Sequence, residues 1–232
     1  MHAGVEATEQ AAAKARDLKL VANVLLESLI RDGKCIRCDF VKMHAGDVLQ
    51  EFGQPIEHVF FPLGGLACLA SVVKNGDMVA NALIGSEGVV GFGREKSLVR
   101  SMVLVPGRAA RVTVDELRKA ALFLPFKRSV AHFNELLVGQ IQQTVACVSL
   151  HSLDQRLCFW LTNACERVRT NELPITQAIL SKMLGVHRAS INSAMMKLQS
   201  AGAISYSRRG YITVDRDRAV SLSCECYEHV SS

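Results

Sequence analysis

The most informative segment of the chain is PITQAILSKMLGVHRASINSAMMKLQSAGAISYSRRGYITV, residues 174–214. It holds two short segments, one on each side of Gly185, whose apolar residues recur every three or four positions as on one face of a helix. These residues are Ala178, Leu180 and Leu184 before the glycine and Ile191, Ala194, Met195 and Leu198 after it. A tight turn between two helices favours glycine, so the segment predicts a helix-turn-helix.

Both predicted helices have end signals. The hydroxyl of Thr176 can accept a hydrogen bond from a backbone N–H of the first turn, which makes this residue the expected N-cap of the first helix. Ile175 and Leu180 are spaced as a hydrophobic staple across that cap. Gly202 is placed as the residue that ends the second helix.

Beyond the second helix the pattern changes to the alternation that is typical of strands. Ile204 and Tyr206 alternate before a basic turn at residues 207–210, and Ile212 and Val214 alternate after it. This pattern predicts a two-stranded wing. The alternative is an ordinary pair of helices beside a hairpin.

The outer face of the second helix favours nucleic-acid binding over that alternative. Its polar positions offer hydrogen-bonding groups and positive charge, and none of them is a carboxylate. They are His187, Arg188, Ser190, Asn192, Ser193 and Lys197. A helix that faces phosphates and base edges needs this composition.

The composition is that of a soluble globular protein of one or two domains. The 232 residues are 49% hydrophobic and 21% charged, with a formal net charge of +5, which predicts local basic patches and no polybasic tail. No apolar run reaches transmembrane length, and the N-terminus carries acidic residues and no hydrophobic signal core, so a cytoplasmic protein is expected. The eight cysteines are expected to be reduced and mostly buried.

The rest of the chain changes character twice. Residues 8–31 predict a helix, with Leu18, Val21, Leu25 and Leu29 on one stripe and Gly33 as its stop. Residues 35–114 read as short strands separated by glycine-containing turns, which predicts a sandwich or barrel. Residues 154–168 predict a further helix with Asp154 as its N-cap.

A long helix is predicted from Pro125 to about His151. One near-heptad stripe comprises Val130, Phe133, Leu137, Ile141, Thr144 and Val148. A second stripe beside it comprises Leu136, Gln140, Gln143 and Cys147. Two stripes allow the helix to touch the β-domain on one side and a twin helix on the other, which predicts a homodimer; the alternative is a core helix packed within one subunit.

Several further motifs accompany this element order. They are residues 46–49 (GDVL), 58–62 (HVFFP) and 85–91 (GSEGVVG) in the β-region, 151–157 (HSLDQRL) and 160–161 (WL) near the hinge, and 183–191, 209–212 and 224–227 (CECY) beyond it. Together they resemble the Crp/Fnr superfamily of transcription regulators. The resemblance implies an α+β fold with a cyclic-nucleotide-binding-like β-roll (jelly-roll) in residues 1–121, a long dimerisation helix and hinge in 122–152, and a winged helix-turn-helix in 153–232.

The resemblance also implies roles in DNA recognition. Arg188 matches the family position that reaches a guanine edge. Ala189 and Ser193 stand where the cyclic-AMP receptor protein has a cytosine-reading glutamate and a second base-reading arginine, so a different operator is expected. Residues expected to face bases are His187, Arg188, Asn192 and Ser193, and those expected near phosphates are Thr176, Gln177, Lys197, Arg208 and Arg209. The implied partners are a palindromic double-stranded operator, a second copy of the chain and RNA polymerase.

A sensor site in the roll is implied as well. The family's cyclic-nucleotide sites use a glycine-glutamate pair and, about ten residues on, an arginine followed by serine or threonine and alanine, which hold the ribose and the cyclic phosphate. The corresponding effector-pocket residues are Gly85, Ser86, Glu87, Gly88, Arg100 and Ser101. The intervening segment is longer and Met102 stands where a small residue belongs, so an altered or vestigial pocket is predicted. Gating by a cyclic nucleotide or another small effector is the alternative.

Two cysteine patterns raise redox or metal chemistry. Cys35 and Cys38 have C-x-x-C spacing, but the next thiols in the chain do not continue the cluster, so two unrelated thiols are expected. Cys224 and Cys226 with His229 lack a fourth zinc ligand, so no metal site is predicted. The chain contains no nucleophile elbow, HExxH motif or P-loop, so it is not expected to be an enzyme.

Overall fold

The computed structural model describes residues 23–30, 36–93, 95–120 and 124–230. Helix α1 (Val24–Ile30) is the described part of the predicted N-terminal helix, and its three leucines are buried. The predicted positions that lie outside the described residues are Leu18, Val21, Gly33 and Cys35. Within the described ranges, no helix has both the length and the apolar character that a membrane span requires.

Five strands form one antiparallel sheet, the roll. They are β1 (Asp39–Met43), β2 (Val48–Gln50), β3 (His58–Val72), β4 (Met78–Ile84) and β5 (Arg100–Thr113). Strand β3 lies between β4 and β5, and β1 and β2 pair with the other edge of β5. Strand β3 shows little alternation of buried and exposed residues, because it is buried along much of its length.

The prediction of uniformly short strands is wrong for β3 and β5, which contain 15 and 14 residues. Glycines inside them bend the pair instead of ending the strands. A Cβ on Gly107 would lie 2.1 Å from the carbonyl oxygen of Gly64, and one on Gly65 would lie 2.6 Å from that of Val105. The β3–β5 register shifts at this crossing, which curls the sheet.

Helix α2 (Val114–Ala120) follows β5, and α3 (Leu124–Leu150) is the predicted long helix, with Pro125 in its first turn. Its N-terminal half packs on the roll through Phe126, Val130 and Phe133, which belong to the core of the roll. A Cβ on Gly88 would lie 2.3 Å from the Phe133 ring, so a larger residue at this position would force the ring to move.

This packing corrects the predicted dimer stripe. Val130, Phe133 and Thr144 are buried within the single chain, and the Thr144 hydroxyl donates to the carbonyl oxygen of Gln140 at 2.8 Å. Leu137 is half-buried against the roll. Apolar residues lie on more than one side of this helix, so periodicity alone does not show which stripe meets the roll.

The apolar stripe of α3 that the described residues leave exposed is rotated from the predicted one. It consists of Val138, Ile141, Val145 and Val148, at steps of three, four and three residues. Val138 is 52% exposed, Val145 64% and Val148 42%, while Ile141 is half-buried. We call these four residues the outer stripe; two of them, Ile141 and Val148, belong to the predicted set.

Helix α4 (Leu153–Val168) starts at a different cap from the predicted one. Its N-cap is Ser152, whose hydroxyl accepts from the backbone N–H of Gln155, while the Gln155 side chain accepts from the backbone N–H of Ser152 at 3.1 Å. This reciprocal pair is a capping box. Asp154 therefore lies inside the first turn, so its assignment as the N-cap is wrong.

The C-terminal elements continue the chain from α4. They are β6 (Glu172–Leu173), α5 (Gln177–Leu184), α6 (Arg188–Ser200), β7 (Ile204–Tyr206), β8 (Ile212–Val214), α7 (Arg216–Leu222) and α8 (Cys226–Val230). The wing sheet has three strands in the order β6-β8-β7, one more than predicted. Two residues are too few to show alternation, so β6 leaves no strand pattern in the sequence.

One apolar core runs from the roll through α4 into α5 and α6. It contains Leu83 of β4, Trp160 of α4 and Leu184 of α5. The turn after α5 also touches the roll, because a Cβ on Gly185 would lie 2.7 Å from the side chain of Val79. The helix-turn-helix is thus packed against the roll of its own chain.

Candidate nucleic-acid interface

The first helix of the predicted pair, α5, has the predicted ends. The Thr176 hydroxyl accepts from the backbone N–H of Ile179 at 3.3 Å, which confirms the N-cap. Ile175 and Leu180 are both buried in the same core, as a staple requires. The helix ends at Gly185, whose φ of 64° lies in the left-handed region that favours glycine.

The second helix, α6, buries one face and exposes the other. Ile191, Ala194, Met195 and Leu198 are buried, as the spacing predicts. The helix ends in a Schellman motif: the N–H of Ala203 donates to Leu198 and that of Gly202 to Gln199. The predicted stop is confirmed, and Gly202 has a φ of 71°.

The exposed face of α6, here called the recognition face, has no internal partner for most of its polar groups. It consists of His187, Arg188, Ser190, Asn192 and Ser193, all exposed. His187 is the N-cap by backbone conformation, but its side chain makes no capping hydrogen bond. Arg188 forms no ion pair with any described residue. The face is polar, cationic and free of carboxylates.

The turn between β7 and β8 adds two further cations. Arg208 and Arg209 are exposed, and among the described residues neither takes part in an ion pair. The turn is closed by hydrogen bonds from the N–H of Ser207 to Tyr211 and from the N–H of Gly210 to Ser207, both at 2.9 Å. The wing therefore projects two exposed guanidinium groups, without ion pairs to described residues, from a hydrogen-bonded hairpin.

Two residues expected near phosphates have internal partners. The ammonium of Lys197 lies 2.9 Å from the carboxylate of Asp154 on α4. The side-chain amide of Gln177 donates to the hydroxyl of Tyr206 at 3.2 Å. These contacts join α6 to α4 and α5 to the wing, so both side chains serve the packing of the unit in this conformation.

The family profile of the Crp-like helix-turn-helix domain matches residues 155–218, which span α4 to the first turn of α7. The chain carries a Crp-like helix-turn-helix domain. No curated protein matches the chain significantly by sequence. The Crp-like domain holds the recognition face and the wing, so the prediction of a winged helix-turn-helix is confirmed.

Solved structures extend the match beyond the Crp-like domain. FixK2 from Bradyrhizobium japonicum is 14% identical and superposes with a TM-score of 0.70, over 82% of this chain and 98% of FixK2. A Crp/Fnr-family transcriptional regulator from Thermus thermophilus is 20% identical, with a TM-score of 0.60 over 80% and 98% of the two chains. The c-di-GMP-responsive regulator CLP from Xanthomonas campestris is 11% identical, with a TM-score of 0.63 over 82% and 97%. These matches confirm the Crp/Fnr fold that the sequence motifs predict.

The predicted effector segment of this Crp/Fnr fold has no helix between Gly85 and Gly91. It forms a turn closed by a hydrogen bond from the N–H of Gly88 to Gly85. The carboxylate of Glu87 accepts from the N–H of Gly85 at 2.9 Å and pairs with Arg167 of α4 at 3.0 Å. Glu87 is thus bound to the Crp-like domain.

The predicted phosphate-binding pair is also engaged internally. Arg100 forms a bidentate ion pair with Glu51 at 3.0 Å, and the hydrogen bond from Arg100 lowers the pKa of that carboxyl. Ser101 is 1% exposed within β5. Two cavities open on the roll, of about 210 and 170 Å³, and neither is lined by a predicted effector residue. The structure therefore gives Glu87 and Arg100 separate partners.

Arg167 ties three parts of the chain together. Besides Glu87, it lies next to the Gln140 side chain. With the Gln140 amide turned so that its nitrogen faces Leu83, Arg167 donates to the amide oxygen at 3.0 Å and the amide nitrogen donates to the carbonyl oxygen of Leu83 at 3.2 Å. Gln140 lies on α3 and is 7% exposed. We call this the Arg167 junction; it links the effector segment, the long helix and the Crp-like domain.

Cysteines and histidine meet at a second junction, between α3 and the C-terminal segment. The possible ligand atoms of Cys147, His151, Cys224 and Cys226 all lie within 4.8 Å of one another. The Cys147 and Cys224 sulfurs are 3.5 Å apart, and Nδ1 of His151 lies 3.4 Å from the Cys226 sulfur. Burial raises the pKa of the Cys147 and Cys224 thiols.

Sequence spacing identified only half of this cluster. It indicated Cys224 and Cys226 together with His229, whereas the structure supplies Cys147 and His151 from the end of α3. The signal was a cysteine and a histidine four residues apart at a predicted helix end. Cys147 and Cys224 are 77 positions apart, so spacing alone does not join them.

The other cysteine pattern stays a prediction. Cys38 is half-buried, and its C-x-x-C partner Cys35 lies outside the described residues. The expectation of two unrelated thiols at this position is therefore untested.

Proposed function

We propose that the chain is a dimeric, sequence-specific DNA-binding transcription regulator of the Crp/Fnr type. The observation that carries the proposal is the recognition face, which offers hydrogen-bonding groups and an unpaired Arg188 at the start of α6, with no carboxylate. The N-terminal residues of a recognition helix are those that meet base edges in the major groove. An enzymatic role has no support from the roll, where Arg100 and Glu87 are engaged in ion pairs.

The residue roles follow from exposure and position. Arg188 is proposed to bind a guanine edge through two hydrogen bonds, with His187, Asn192 and Ser193 beside it and Ser190 at the flank. Arg208 and Arg209 are proposed to bind phosphates from the wing, together with Thr176 and Gln177 at the start of α5. Lys197 must leave Asp154 before it can reach a phosphate, so it is assigned the weakest contact.

The second copy of the chain is proposed to dock on the outer stripe of α3. The outer stripe follows the three-four spacing of a coiled-coil seam. Its three valines are exposed and Ile141 is half-buried, with no described element packed over them. Two parallel α3 helices would place two recognition faces about one turn of DNA apart, on half-sites centred about 10 base pairs from each other. Contact with RNA polymerase stays a prediction from the resemblance.

The effector site is proposed to be altered relative to cyclic-nucleotide sensors. Its support is the engagement of Glu87 by Arg167 and of Arg100 by Glu51, because a cyclic phosphate would have to displace Glu51 to reach the guanidinium. The Arg167 junction instead connects this segment directly with α4. An effector, if one acts here, must favour one arrangement of that junction over another.

Selection from a random duplex library by the purified full-length chain, at a fixed salt concentration, tests the proposal. The expected product is an inverted repeat that differs from the operator of the cyclic-AMP receptor protein. The same selection with Arg188→Ala serves as the matched arm, and its repeat should lose preference at one position in each half-site. Enrichment of no sequence by the wild-type chain would contradict sequence-specific binding.

A further inference from the structure

The cluster of Cys147, His151, Cys224 and Cys226 has the ligand set of a structural metal site. It offers three sulfurs and one imidazole nitrogen, which is the Cys₃His set that tetrahedral Zn²⁺ takes in proteins. The three cysteines are no more than 3% exposed, and the His151 side chain is 13% exposed. We propose that these four residues bind one zinc ion that joins the end of α3 to the C-terminal segment.

The spacing of the ligand atoms favours one ion over a multi-iron cluster. Sulfurs bound to one zinc at about 2.3 Å stand about 3.8 Å apart in a tetrahedral site. The closest pair here, Cys147 and Cys224, is at 3.5 Å, and no ligand atom is more than 4.8 Å from another. The four ligands of an iron–sulfur cluster are divided over two or four iron atoms, so ligands on different irons must stand further apart than any pair here.

The surroundings of the ligands match a metal site as well. His151 turns Nδ1 toward the cluster, and its other ring nitrogen lies 3.2 Å from the carboxylate of Glu225. A carboxylate behind a ligating histidine fixes the tautomer that leaves the inner nitrogen free to bind metal. The Gln143 amide donates to the Cys226 sulfur at 3.0 Å. Such hydrogen bonds favour a thiolate.

A buried arginine near the cluster would offset the charge of the metal site. Zinc with three thiolates carries one net negative charge, and Arg156 is 8% exposed and interacts electrostatically with Cys147 and Cys224. The Nε of Arg156 has no hydrogen-bond partner among the described residues. Its Nη2 donates to the carbonyl oxygen of Leu184 at 3.0 Å, at the end of α5. The site therefore supports the helix-turn-helix through one side chain.

Zinc binding by these four residues does not require DNA binding. The zinc proposal can therefore be contradicted without contradicting the proposed function, and the reverse is also true. The ligands come from two segments that flank the whole Crp-like domain, before α4 and after α7. An ion bound by these ligands would link the segment that follows the Crp-like domain to the end of α3, which precedes it. It stabilises the docked position of the recognition helix relative to the dimer helix.

Metal analysis of the full-length chain, purified under reducing conditions in the presence of Zn²⁺, is the first test. About one zinc per chain should remain after gel filtration, as for a closed structural site. Titration of the metal-free chain with Co²⁺ should give thiolate-to-cobalt absorption and the intense visible bands of tetrahedral cobalt. A folded, reduced chain that retains no zinc and gives no such spectrum overturns the proposal, as does a brown iron–sulfur chromophore.

Variants then test which residues hold the ion. Cys224→Ser combined with Cys226→Ser should abolish zinc retention, whereas the control Cys158→Ser, a buried cysteine of α4 outside the cluster, should retain it. Full zinc content in the double variant overturns the ligand assignment.

A surface variant keeps the test valid if the double variant does not fold. Glu225→Ala should weaken zinc affinity in a chelator competition roughly 10- to 100-fold, because it removes the support of His151. The matched control is Glu228→Ala, an exposed carboxylate within α8. Equal affinities of these two variants overturn the ligation by His151.

Discussion

The recognition face of α6 and the predicted effector pocket of the roll each include one arginine, Arg188 and Arg100, yet these arginines differ in internal pairing. Arg188 has no ion pair within the described part of the chain, whereas Arg100 and Arg167 are held by Glu51 and Glu87. An arginine without a partner gains the full interaction with an incoming phosphate or base. An arginine that is already paired must first give up a charged hydrogen bond.

Residue type alone therefore does not identify a binding site. The motif that resembles a cyclic-nucleotide pocket contains the expected glutamate and arginine, but the fold uses them as contacts between elements. The polar groups of the recognition face are exposed, and Arg188 is not engaged in an ion pair with any described residue. The two regions differ in whether their arginines are exposed and free of ion pairs to other described residues, and therefore able to bind a ligand.

The largest loss of operator affinity should come from a change in the outer stripe. Without the dimer, each chain would bind a half-site with a single recognition face. Val145→Glu should convert the dimer into a monomer and reduce operator affinity by roughly 100-fold or more, since each copy would place an unpaired carboxylate in the seam. Sedimentation and DNA titration measure the two effects. The control is Leu136→Glu, which adds the same charge at an exposed leucine outside the stripe. Equal behaviour of the two variants would show that the seam lies elsewhere.

The second effect separates base reading from phosphate binding. Arg188→Ala should remove about 1–3 kcal/mol of preference for one base pair in each half-site, whereas Arg209→Ala should weaken all sequences alike and lower the salt slope by about one per contact. Affinities for the selected operator and for single-base variants, measured over a range of salt concentrations, distinguish these outcomes. Identical effects of the two substitutions would mean that the roles are assigned wrongly.

The third prediction concerns a paired arginine. Arg167→Ala removes the partner of Glu87 and Gln140, and it should reduce the free energy of unfolding by about 1 kcal/mol, since the junction is partly solvent-screened. Urea unfolding of the full chain measures the change. Arg209→Ala, which removes an unpaired arginine, should leave stability within about 0.5 kcal/mol of the wild type. A larger loss of stability in Arg209→Ala than in Arg167→Ala would contradict the claim that the paired arginine stabilises the fold and the unpaired one does not.

The weakest response is expected from cyclic nucleotides themselves. Calorimetry with cyclic AMP and cyclic GMP should show no binding to the wild-type chain, because the guanidinium of Arg100 is already ion-paired with the carboxylate of Glu51. Micromolar binding that disappears in Arg100→Ala would contradict the altered pocket and would restore the cyclic-nucleotide alternative.

The helix-turn-helix was predictable because its signals are local. Thr176, Gly185 and Gly202 each fix a helix end through contacts with nearby residues, so the sequence contains the necessary information. The capping box at Ser152 was equally local, with glutamine three residues later, but the prediction preferred the carboxylate of Asp154. That error arose from ranking caps by residue type alone.

The remaining features depend on contacts between distant segments. Whether Phe133 meets the roll or a second chain is decided by Gly88, which leaves space for the ring. The partners of Arg100 and Arg167 lie 49 and 80 positions away. The cysteine–histidine cluster joins residues on both sides of the Crp-like domain. No periodicity or short motif encodes these pairings.

The proposed function depends most on Arg188, which should bind a guanine in each half-site of a palindromic operator. Replacing single guanines of the selected operator with 7-deazaguanine, which lacks the N7 acceptor, tests this contact most directly. We predict that wild-type affinity falls at one symmetry-related guanine pair and that Arg188→Ala is insensitive to the same replacement. Equal sensitivity of the wild type and the variant at every guanine would contradict base recognition by Arg188.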